Sequence, residues 1–328
     1  MTHPYFAVTM GDAAGIGPEV TAKALFHPQM PQGASPLVIG DAAWMQGQLK
    51  RFGLPGRFVP VEQVPLGPPE PGTVPLLQPP GAPLQGVALG RAQAPAGEAA
   101  YRYVLKAVEL AQAGQVKAIV TAPLCKESLH LAGHYYDGHT GLMAELCHCT
   151  RYRMTFCTLD WRILHVTAHV SLKEAIRRLT PELVLETLQI GQEHLNQLGL
   201  QGTIAVAGLN PHASEGGIFG DEEQRIIEPA LAQARALGIA CTNPLPPDVV
   251  FRQMALGAYP MVISMIHDHG HLAGKLLAFD RGVNVSLGLP VIRTSVDHGT
   301  AFDIAAQGIA NPLNLHHAYA YALLMAGL

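Results

Sequence analysis

Residues Tyr5–Phe26 read YFAVTMGDAAGIGPEVTAKALF, and this stretch decides the fold class. Its first part, Tyr5–Met10, is a short apolar run of the kind that forms a buried strand, and it stops at Gly11. Pro18 then begins a stretch with helical character, because proline suits the first turn of a helix. The order of strand, glycine loop and helix predicts one unit of an α/β fold.

The same order of elements recurs along the chain. Apolar strands are predicted at VKAIVT, RILHVTAHV, GTIAVAGL and PMVISMI, and helices at GEAAYRYVLKAVELAQAG, LKEAIRRL, PELVLETLQIGQEHLNQLG and DEEQRIIEPALAQARALG. Strands that alternate with helices indicate a mostly parallel sheet with helices on both faces. Residues 54–97 are rich in proline and glycine, so we expect irregular structure and edge strands there, or a flexible linker.

Composition sets the broad class of protein. The chain has 328 residues, of which 48% are hydrophobic and 14% charged, enough for two domains or one large α/β unit. A net charge of −4 argues against a surface that binds nucleic acid. The sequence MTHPYFAVTMGD lacks the features of a signal peptide, and no apolar run is long enough to span a membrane. Five scattered cysteines suit a reducing compartment, so we expect a cytoplasmic protein.

Three predicted strands each lead into a loop that carries a histidine: His169, His212 and His267. In open α/β sheets, ligands bind beyond the carboxyl ends of the strands, so these imidazoles could meet at one point. Three imidazoles with an open fourth position form a catalytic site of the zinc type, and related divalent ions accept the same ligands. A chain with 16 histidines places some at strand ends by chance. The shared placement of three favours the metal site.

The segment HDHGHLAGK continues from His267 and has glycines around its histidines. We expect a loop with a tight turn there, in which His269 and His271 line a pocket without binding metal. Asp268 could orient a ligating imidazole by accepting its second N–H. Lys275, at the end of the segment, is expected to face the substrate rather than bulk water.

Two further groups of residues are candidates for binding an anion. The loop GDAAGIGPE could bring backbone N–H groups close to a phosphate, or could be a turn that needs positive φ. Side chains that suit a phosphorylated or carboxylated substrate come from DGHTG and from the region after the last predicted strand. They are His139, Thr140, Lys275, Asn284 and Arg293, each of which could also be an ordinary surface residue.

Seven motifs occur in order over nearly the whole chain: TMGDAAGIGPE, TAPLCKE, DGHTG, LNPHASEGG, PLPPD, HDHGHLAGK and VNVSLGLPVIRTSVDHGTAFDIA. Together they resemble the PdxA family, the 4-hydroxythreonine-4-phosphate dehydrogenases and their paralogues that act on 4-phosphothreonate or 4-phosphoerythronate. In addition, GIGPEV and DHGTAFDIAAQGIANP are similar to segments of isopropylmalate and isocitrate dehydrogenases. The resemblance implies their two-lobed α/β/α fold with a mostly parallel sheet. We expect one lobe from residues 1–125 plus 300–328, and a second from 126–299 that carries the metal and dimer contacts.

The resemblance also implies an activity. It is an NAD- or NADP-dependent oxidation with decarboxylation, assisted by a divalent metal such as zinc, magnesium, manganese or cobalt. The expected substrate is 4-phosphooxy-L-threonine, as in pyridoxal phosphate biosynthesis; 4-phospho-D-threonate or 4-phosphoerythronate of sugar-acid catabolism is the alternative. A non-catalytic receptor for a phosphorylated metabolite is the rival hypothesis, and the cofactor-like segment DHGTAFDIA argues against it.

Roles for individual residues follow from the same resemblance. The metal would be held by His169, His212 and His267, with ligands from both subunits of a homodimer whose active site lies at the subunit interface. The substrate would contact His139, Thr140, Lys275, Asn284 and Arg293. The cofactor would lie near Gly11, Asp12, Gly15, His298 and Asp303. The general base stays open between Lys275, Asp248 and a histidine beside the metal.

The sequence departs from the family pattern at five positions, which bear on the substrate. They are Ala13, Cys125, Gly141, Ser214 and His269, where the family commonly has Pro, Asn, Glu, Gly and Gln. The change at Gly141 removes a carboxylate beside the residues expected to bind phosphate.

Overall fold

The computed structural model describes residues 3–81 and 84–328 of the chain. The strands are β1 (Tyr5–Thr9), β2 (Ser35–Ile39), β3 (Arg57–Pro60), β4 (Thr73–Leu77), β5 (Ala118–Thr121), β6 (Arg153–Cys157), β7 (Arg162–His165), β8 (Ile204–Ala207), β9 (Cys241–Leu245), β10 (Met261–Ser264), β11 (Val283–Leu287) and β12 (Arg293–Val296). The helices are α1 (Gly17–Leu25), α2 (Ala42–Phe52), α3 (Ala94–Gln112), α4 (Lys126–Leu131), α5 (His139–Leu146), α6 (Leu172–Arg178), α7 (Pro181–Gln197), α8 (Glu228–Ala236), α9 (Pro247–Ala255), α10 (His267–Ala278) and α11 (Leu313–Ala326).

The chain divides into two compact units, one from residues 1–150 and 289–328 and the other from residues 151–288. The first boundary, after residue 150, comes later than the expected one at 125, and the second, after residue 288, comes earlier than the expected one at 299. Packing explains both differences. A Cβ on Gly97 of α3 would lie 1.9 Å from the carbonyl oxygen of Ser128 in α4, so these helices touch through their backbones. At the other boundary, β12 pairs in parallel with β5. Both segments therefore belong to the first unit.

In the first unit the strands lie in the order β3, β4, β2, β1, β5 and β12, and every pair is parallel. Every residue of β1 is buried, because the strand has neighbours on both sides and apolar side chains on both faces. Residues 54–97 include the short strands β3 and β4 at the edge of the sheet, with turns and irregular backbone between them. Helix α3 then begins at Ala94. Helix α3 ends as expected before Gly114, which has φ +69°.

In the second unit the order is β11, β6, β7, β10, β8 and β9. Strand β6 is antiparallel to β7 and to β11, whereas β7, β10, β8 and β9 run parallel. The carboxyl ends of β7, β10 and β8 therefore meet at one edge, and the segments that follow these strands carry the three predicted histidines. The mostly parallel sheet is confirmed in both units.

The expected loop at HDHGH is wrong, because helix α10 begins at His267. Its glycines serve close packing rather than a turn. A Cβ on Gly270 would lie 2.6 Å from Cγ2 of Ile163, and one on Gly274 would lie 2.8 Å from Cδ1 of Phe156. Larger side chains would push the helix off β6 and β7. Across the described ranges, no helix is both long and apolar enough to cross a membrane.

Candidate active site

A cluster of imidazoles lies in the second unit, where β7 ends and α10 begins. His267 and His271 are one turn apart on α10, with ring centroids 4.5 Å apart and planes inclined by 19°. His165, the last residue of β7, is buried, and its ring centroid is 5.5 Å from that of His267. His169, four residues later, has its ring centroid 5.6 Å from that of His267. Two of the predicted metal ligands, His169 and His267, are thus brought together.

His165 was not expected in this cluster, and His271 was expected only to line a pocket. The sequence signal that could have identified them is their spacing: His165 lies four residues before His169, and His271 lies four residues after His267. For His267 and His271, that signal depended on recognising α10 as a helix, because residues four apart share a helix face. For His165, it required knowing that the end of β7 lies under Gly270, whose added Cβ would be 2.8 Å from the His165 Nε2.

His169 has an unusual backbone. Its φ is +55°, a conformation that non-glycine residues rarely adopt and that typically costs about 1–3 kcal/mol. Such strain persists only where the surroundings impose it, and it is concentrated at functional sites. A cavity of about 400 Å³ is lined by Thr167, His169 and His267, among other residues. The strained residue therefore faces space that a ligand could occupy.

Asp268 orients the ring of His267, as expected. The His267 Nδ1 lies 2.8 Å from Oδ1 of Asp268. The hydrogen bond from His267 lowers the pKa of the Asp268 carboxyl, which therefore accepts the Nδ1–H. This leaves Nε2 of His267 to act as a ligand, the arrangement in which a carboxylate usually supports a metal-bound imidazole.

These residues partly fit a divalent metal. With metal–nitrogen bonds of about 2.1 Å, two rings on one ion would have centroids roughly 5–6 Å apart, as His169 and His267 do. The third predicted ligand, His212, has its ring 6.1 Å from that of Phe219. Within residues 3–81 and 84–328 of a single chain, no group of three His, Cys, Asp or Glu side chains could hold a metal. One chain thus supplies a two-histidine portion of the predicted site.

The other predicted residues of this unit have different surroundings. Lys275 is half-buried on α10, two turns after His267, with Nζ 6.0 Å from the ring centroid of Phe156 and 5.1 Å from that of Phe279. Asn284 lies on β11, opposite Phe156 in the pairing with β6. Asp248 is exposed in the first turn of α9. Of these side chains, only that of Lys275 lies on the helix that carries the histidine cluster.

A second constellation lies in the first unit. His139 is the first residue of α5, and its Nε2 is buried with no hydrogen-bond partner among the described residues. Burial, followed by the charge of Arg293, lowers the pKa of His139 well below its usual value, so the ring is neutral at pH 7. Arg293 is only 2% exposed, and its Nη2 donates to the Thr121 hydroxyl at 2.9 Å. A buried guanidinium beside a neutral imidazole and Thr140 makes a site suited to an anion.

Burial also acts on Arg293 itself. It lowers the pKa of the guanidinium to about 9, and the charge of Asp297 opposes this shift. A buried cation of this kind gains from a nearby anion, because the anion offsets the cost of removing the cation from water.

The glycine loop of the first unit packs closely on its surroundings. Gly11 has φ +73°, and a Cβ there would lie 2.3 Å from the Pro123 carbonyl oxygen. A Cβ on Gly15 would lie 2.6 Å from the carbonyl oxygen of Thr300, which also accepts from the Ile16 N–H at 2.9 Å. The structure therefore brings together the glycine loop and the DHGT segment, the two regions expected to bind the cofactor.

The side chains predicted around the cofactor differ in exposure. Asp12 is fully buried, and its Oδ1 accepts from the Ala14 N–H at 2.8 Å, so the side chain holds the loop. Burial raises the pKa of the Asp12 carboxyl. His298 is half-buried, with Nδ1 2.9 Å from the Gly299 carbonyl oxygen, and Asp303 is exposed. The last two are therefore the ones accessible to a ligand.

Comparisons with known proteins agree with these motifs. The family described as "Pyridoxal phosphate biosynthetic protein PdxA" matches residues 32–322. The chain is 46% identical over 310 residues to the D-threonate 4-phosphate dehydrogenase of Salmonella typhimurium, covering 93% of each chain. It is also similar to the crystal structure of 4-hydroxythreonine-4-phosphate dehydrogenase from Klebsiella pneumoniae. That similarity has a TM-score of 0.89 and 42% identity, and it covers 99% of this chain and 100% of the other.

A more distant likeness concerns the fold alone. The β-decarboxylating dehydrogenase from Thermococcus kodakarensis matches with a TM-score of 0.51 and 14% identity, covering 99% of this chain and 84% of that one. The predicted α/β fold of the isocitrate and isopropylmalate dehydrogenase type is thereby confirmed.

Proposed function

The chain belongs to the PdxA family, and we propose that it oxidises a 4-phosphorylated hydroxy acid with NAD or NADP and a divalent metal. It is an enzyme of the dehydrogenase type. The observation that carries the proposal is the 46% identity to a D-threonate 4-phosphate dehydrogenase over 93% of both chains. Identity at this level over nearly full length leaves little room for a different reaction class.

We consider two compounds as the leading candidates for the substrate. The family resemblance implies 4-phosphooxy-L-threonine first, with 4-phospho-D-threonate and 4-phosphoerythronate as alternatives, whereas the segments GHLAGK and VNVSLGLPVIRTSVDHGTAFDIA lean slightly toward the phosphothreonate-type paralogues. The 46%-identical relative is named for D-threonate 4-phosphate, and the structure at 42% identity for 4-hydroxythreonine 4-phosphate. We therefore place 4-phospho-D-threonate beside 4-phosphooxy-L-threonine. They differ at C2, where the first has a hydroxyl and the second an ammonium group.

We assign the phosphate of the substrate to His139, Thr140 and Arg293. The buried guanidinium of Arg293 supplies fixed positive charge, and the neutral ring of His139 can donate a hydrogen bond without adding a second charge. The assignment is supported by the buried Nε2 of His139, which has no partner in the described parts of the chain. We assign Lys275 and Asn284 to further polar contacts of the substrate.

We assign the metal to His169 and His267, with His212 as the third ligand supplied by a second subunit. A divalent ion held there would lower the pKa of the substrate hydroxyl. Asp268 keeps the Nε2 of His267 available by accepting its Nδ1–H. The base that removes the hydroxyl proton stays open between Lys275, Asp248 and a histidine of the cluster. Lys275 is supported by its place on the face of α10 that carries His267 and His271.

We assign the cofactor to the region of Gly11, Asp12, Gly15, His298 and Asp303, in which the buried Asp12 shapes the loop while His298 and Asp303 are accessible to the ligand. The packing of Gly15 against Thr300 supports this assignment, because it places a helix N-terminus beside the DHGT segment. NAD or NADP held there would supply the hydride acceptor for oxidation at C3 of the substrate. The product of that oxidation is a β-keto acid, which loses CO₂ readily.

We propose that the chain forms a homodimer whose interface includes the exposed surface of α10. Leu272 and Leu276 on α10 are 63% and 88% exposed, and Phe279, the residue after the helix, is 70% exposed. An apolar stripe of this kind is rarely left in water on a monomer. A second copy covering it would lie next to the histidine cluster, as a metal site shared between subunits requires.

The experiment that tests the function is NADH formation, followed by absorbance, with the three phosphorylated acids and a divalent metal. We expect turnover of one of them, and a matched non-phosphorylated acid serves as control. Binding of a phosphorylated acid without any NADH or NADPH formation would instead support the receptor hypothesis.

A further inference from the structure

The loop after β8 holds a run of backbone conformations that ordinary residues avoid. His212, Ala213, Ser214 and Glu215 have φ of +53°, +53°, +68° and +46°. A Cβ clashes with the neighbouring backbone in this region, so single residues there are uncommon and consecutive ones more so. The loop can persist only if other groups impose its shape.

One buried carboxylate binds the backbone that leads into this run. Glu223 is 1% exposed, and its Oε1 accepts from the backbone N–H groups of Leu209 and Asn210, both at 2.8 Å. Its Oε2 accepts from the Asn210 side-chain Nδ2 at 2.8 Å. Hydrogen bonds to a charged acceptor are stronger than neutral ones, so these fix the residues that lead into His212.

The surrounding glycines leave no room for a larger side chain beside the carboxylate and its partners. A Cβ on Gly208 would lie 2.8 Å from Cα of Ala213 and 3.1 Å from Oε1 of Glu223. A Cβ on Gly220 would lie 2.7 Å from Nδ2 of Asn210. The strained loop, the carboxylate and the asparagine thus form one closely packed unit.

We propose that Glu223 is a positioning residue, whose carboxylate holds the loop 209–215 in its left-handed form and so presents the imidazole of His212. This inference rests on the proposed role of His212 as a metal ligand. The positioning itself is a property of the chain without metal, because every group that carries it is present in the described structure.

Glu222 provides a matched control. It neighbours Glu223, and its Oε2 accepts from the same Nδ2 of Asn210 at 2.8 Å. It is half-buried and accepts no backbone N–H group of the loop in the described structure. Removing its charge should leave the hydrogen bonds to the backbone intact.

The experiment compares Glu223→Gln with Glu222→Gln. A glutamine at 223 can still accept the two backbone N–H groups, but its Nε2 then faces the donor Nδ2 of Asn210. We expect hydrogen exchange of residues 209–215 in the metal-free dimer to accelerate at least tenfold in Glu223→Gln, and the dissociation constant for Zn²⁺ to rise at least tenfold. Glu222→Gln should stay within about twofold of wild type in both, and KM for the phosphorylated substrate should change less than kcat.

The outcomes separate this inference from the proposed function. Unchanged loop exchange in Glu223→Gln overturns the inference and leaves the proposed function standing. Exchange that accelerates equally throughout residues 151–288 also overturns it, because Glu223 would then be a general stabilising residue. If the wild type binds no Zn²⁺, the metal assignment fails, while the loop exchange still decides the role of Glu223. Should Glu223→Gln not fold, Gly208→Ala must show the same local effects, because its methyl would press on Ala213 and Glu223.

Discussion

The ring centroids of His169 and His267 lie 5.6 Å apart, although the two residues follow different strands of the sheet. Their strands, β7 and β10, are parallel neighbours, so both chains leave the sheet at the same edge. Asp268 then fixes the orientation of one ring through a 2.8 Å hydrogen bond. The proposed metal chemistry depends on this pair of imidazoles.

Replacing His267 by alanine should abolish Zn²⁺ retention, whereas replacing His269 should not. Both residues lie in the first turn of α10, but only His267 has its ring beside that of His169. Bound metal per chain, measured by atomic emission after loading and desalting, checks this. Full metal retention in His267→Ala, or loss in His269→Ala, would reassign the ligands. Chelation of the wild type should likewise stop NADH formation, and added metal should restore it.

Replacing Lys275 by alanine should lower kcat/KM at least about tenfold, since a charged hydrogen bond contributes roughly 1.5–3 kcal/mol. The melting temperature should change little, because Lys275 is only half-buried, with its Nζ 6.0 Å from the ring centroid of Phe156 and 5.1 Å from that of Phe279. Lys50→Ala, an exposed lysine on α2, is the control. A well-folded Lys275→Ala enzyme with unchanged kcat/KM would remove Lys275 from the site.

Replacing Leu276 by lysine should weaken the dimer and, with it, activity. The side chain is 88% exposed in the single chain, so folding of the subunit should not suffer. Light scattering would show a shift towards monomers, and activity should recover at high protein concentration. Leu66→Lys, at another residue that is 82% exposed, should remain dimeric. A monomeric wild type with full activity would contradict the proposed assembly.

Replacing Gly270 by alanine should destabilise the protein by about 1–3 kcal/mol, the usual cost of overpacking. The new Cβ would meet Ile163 at 2.6 Å and the His165 Nε2 at 2.8 Å. Gly47→Ala is the matched control on helix α2, where a Cβ meets nothing within 4 Å. There, alanine should stabilise by roughly 0.5–1 kcal/mol, because glycine is a poor helix former. Urea unfolding of both variants would show shifts of opposite sign.

His194 should make the protein sensitive to mild acid. Burial, followed by the charge of Arg162, lowers the pKa of His194 from its usual 6.5 to about 4. Between these values the unfolded chain binds a proton that the folded chain does not, so stability falls as pH decreases. The full effect is about 3 kcal/mol, of which roughly 2 kcal/mol should be lost by pH 5.

Unfolding of wild type and His194→Gln at pH 7 and pH 5 measures this effect. The variant should lose less stability than wild type on acidification, and His130→Gln, at an exposed position, should behave as wild type. An equal pH dependence in wild type and His194→Gln would exclude His194 as the cause.

Much of the fold could be predicted because its signals are local. Buried parallel strands such as β1 need apolar residues at every position, and glycine and proline mark where they stop and where helices start. The sheet edge at which His169 and His267 lie could also be predicted from the sequence, because the carboxyl ends of neighbouring parallel strands lie at the same edge. The surroundings of the proposed phosphate site were harder to predict, since only folding shows that Arg293 is buried beside His139.

The sequence by itself determined the order of strands and helices, the parallel sheet and the edge at which the candidate ligands lie. Only the tertiary structure decided that HDHGH is a helix. Its glycines suggested a turn. Positions 270 and 274 instead need glycine because Ile163 and Phe156, more than a hundred residues earlier, occupy the space that a Cβ atom would take. The same holds for Glu223, whose carboxylate imposes left-handed backbone on His212. Contacts between residues distant in sequence leave no periodic signal, so only the folded chain reveals them.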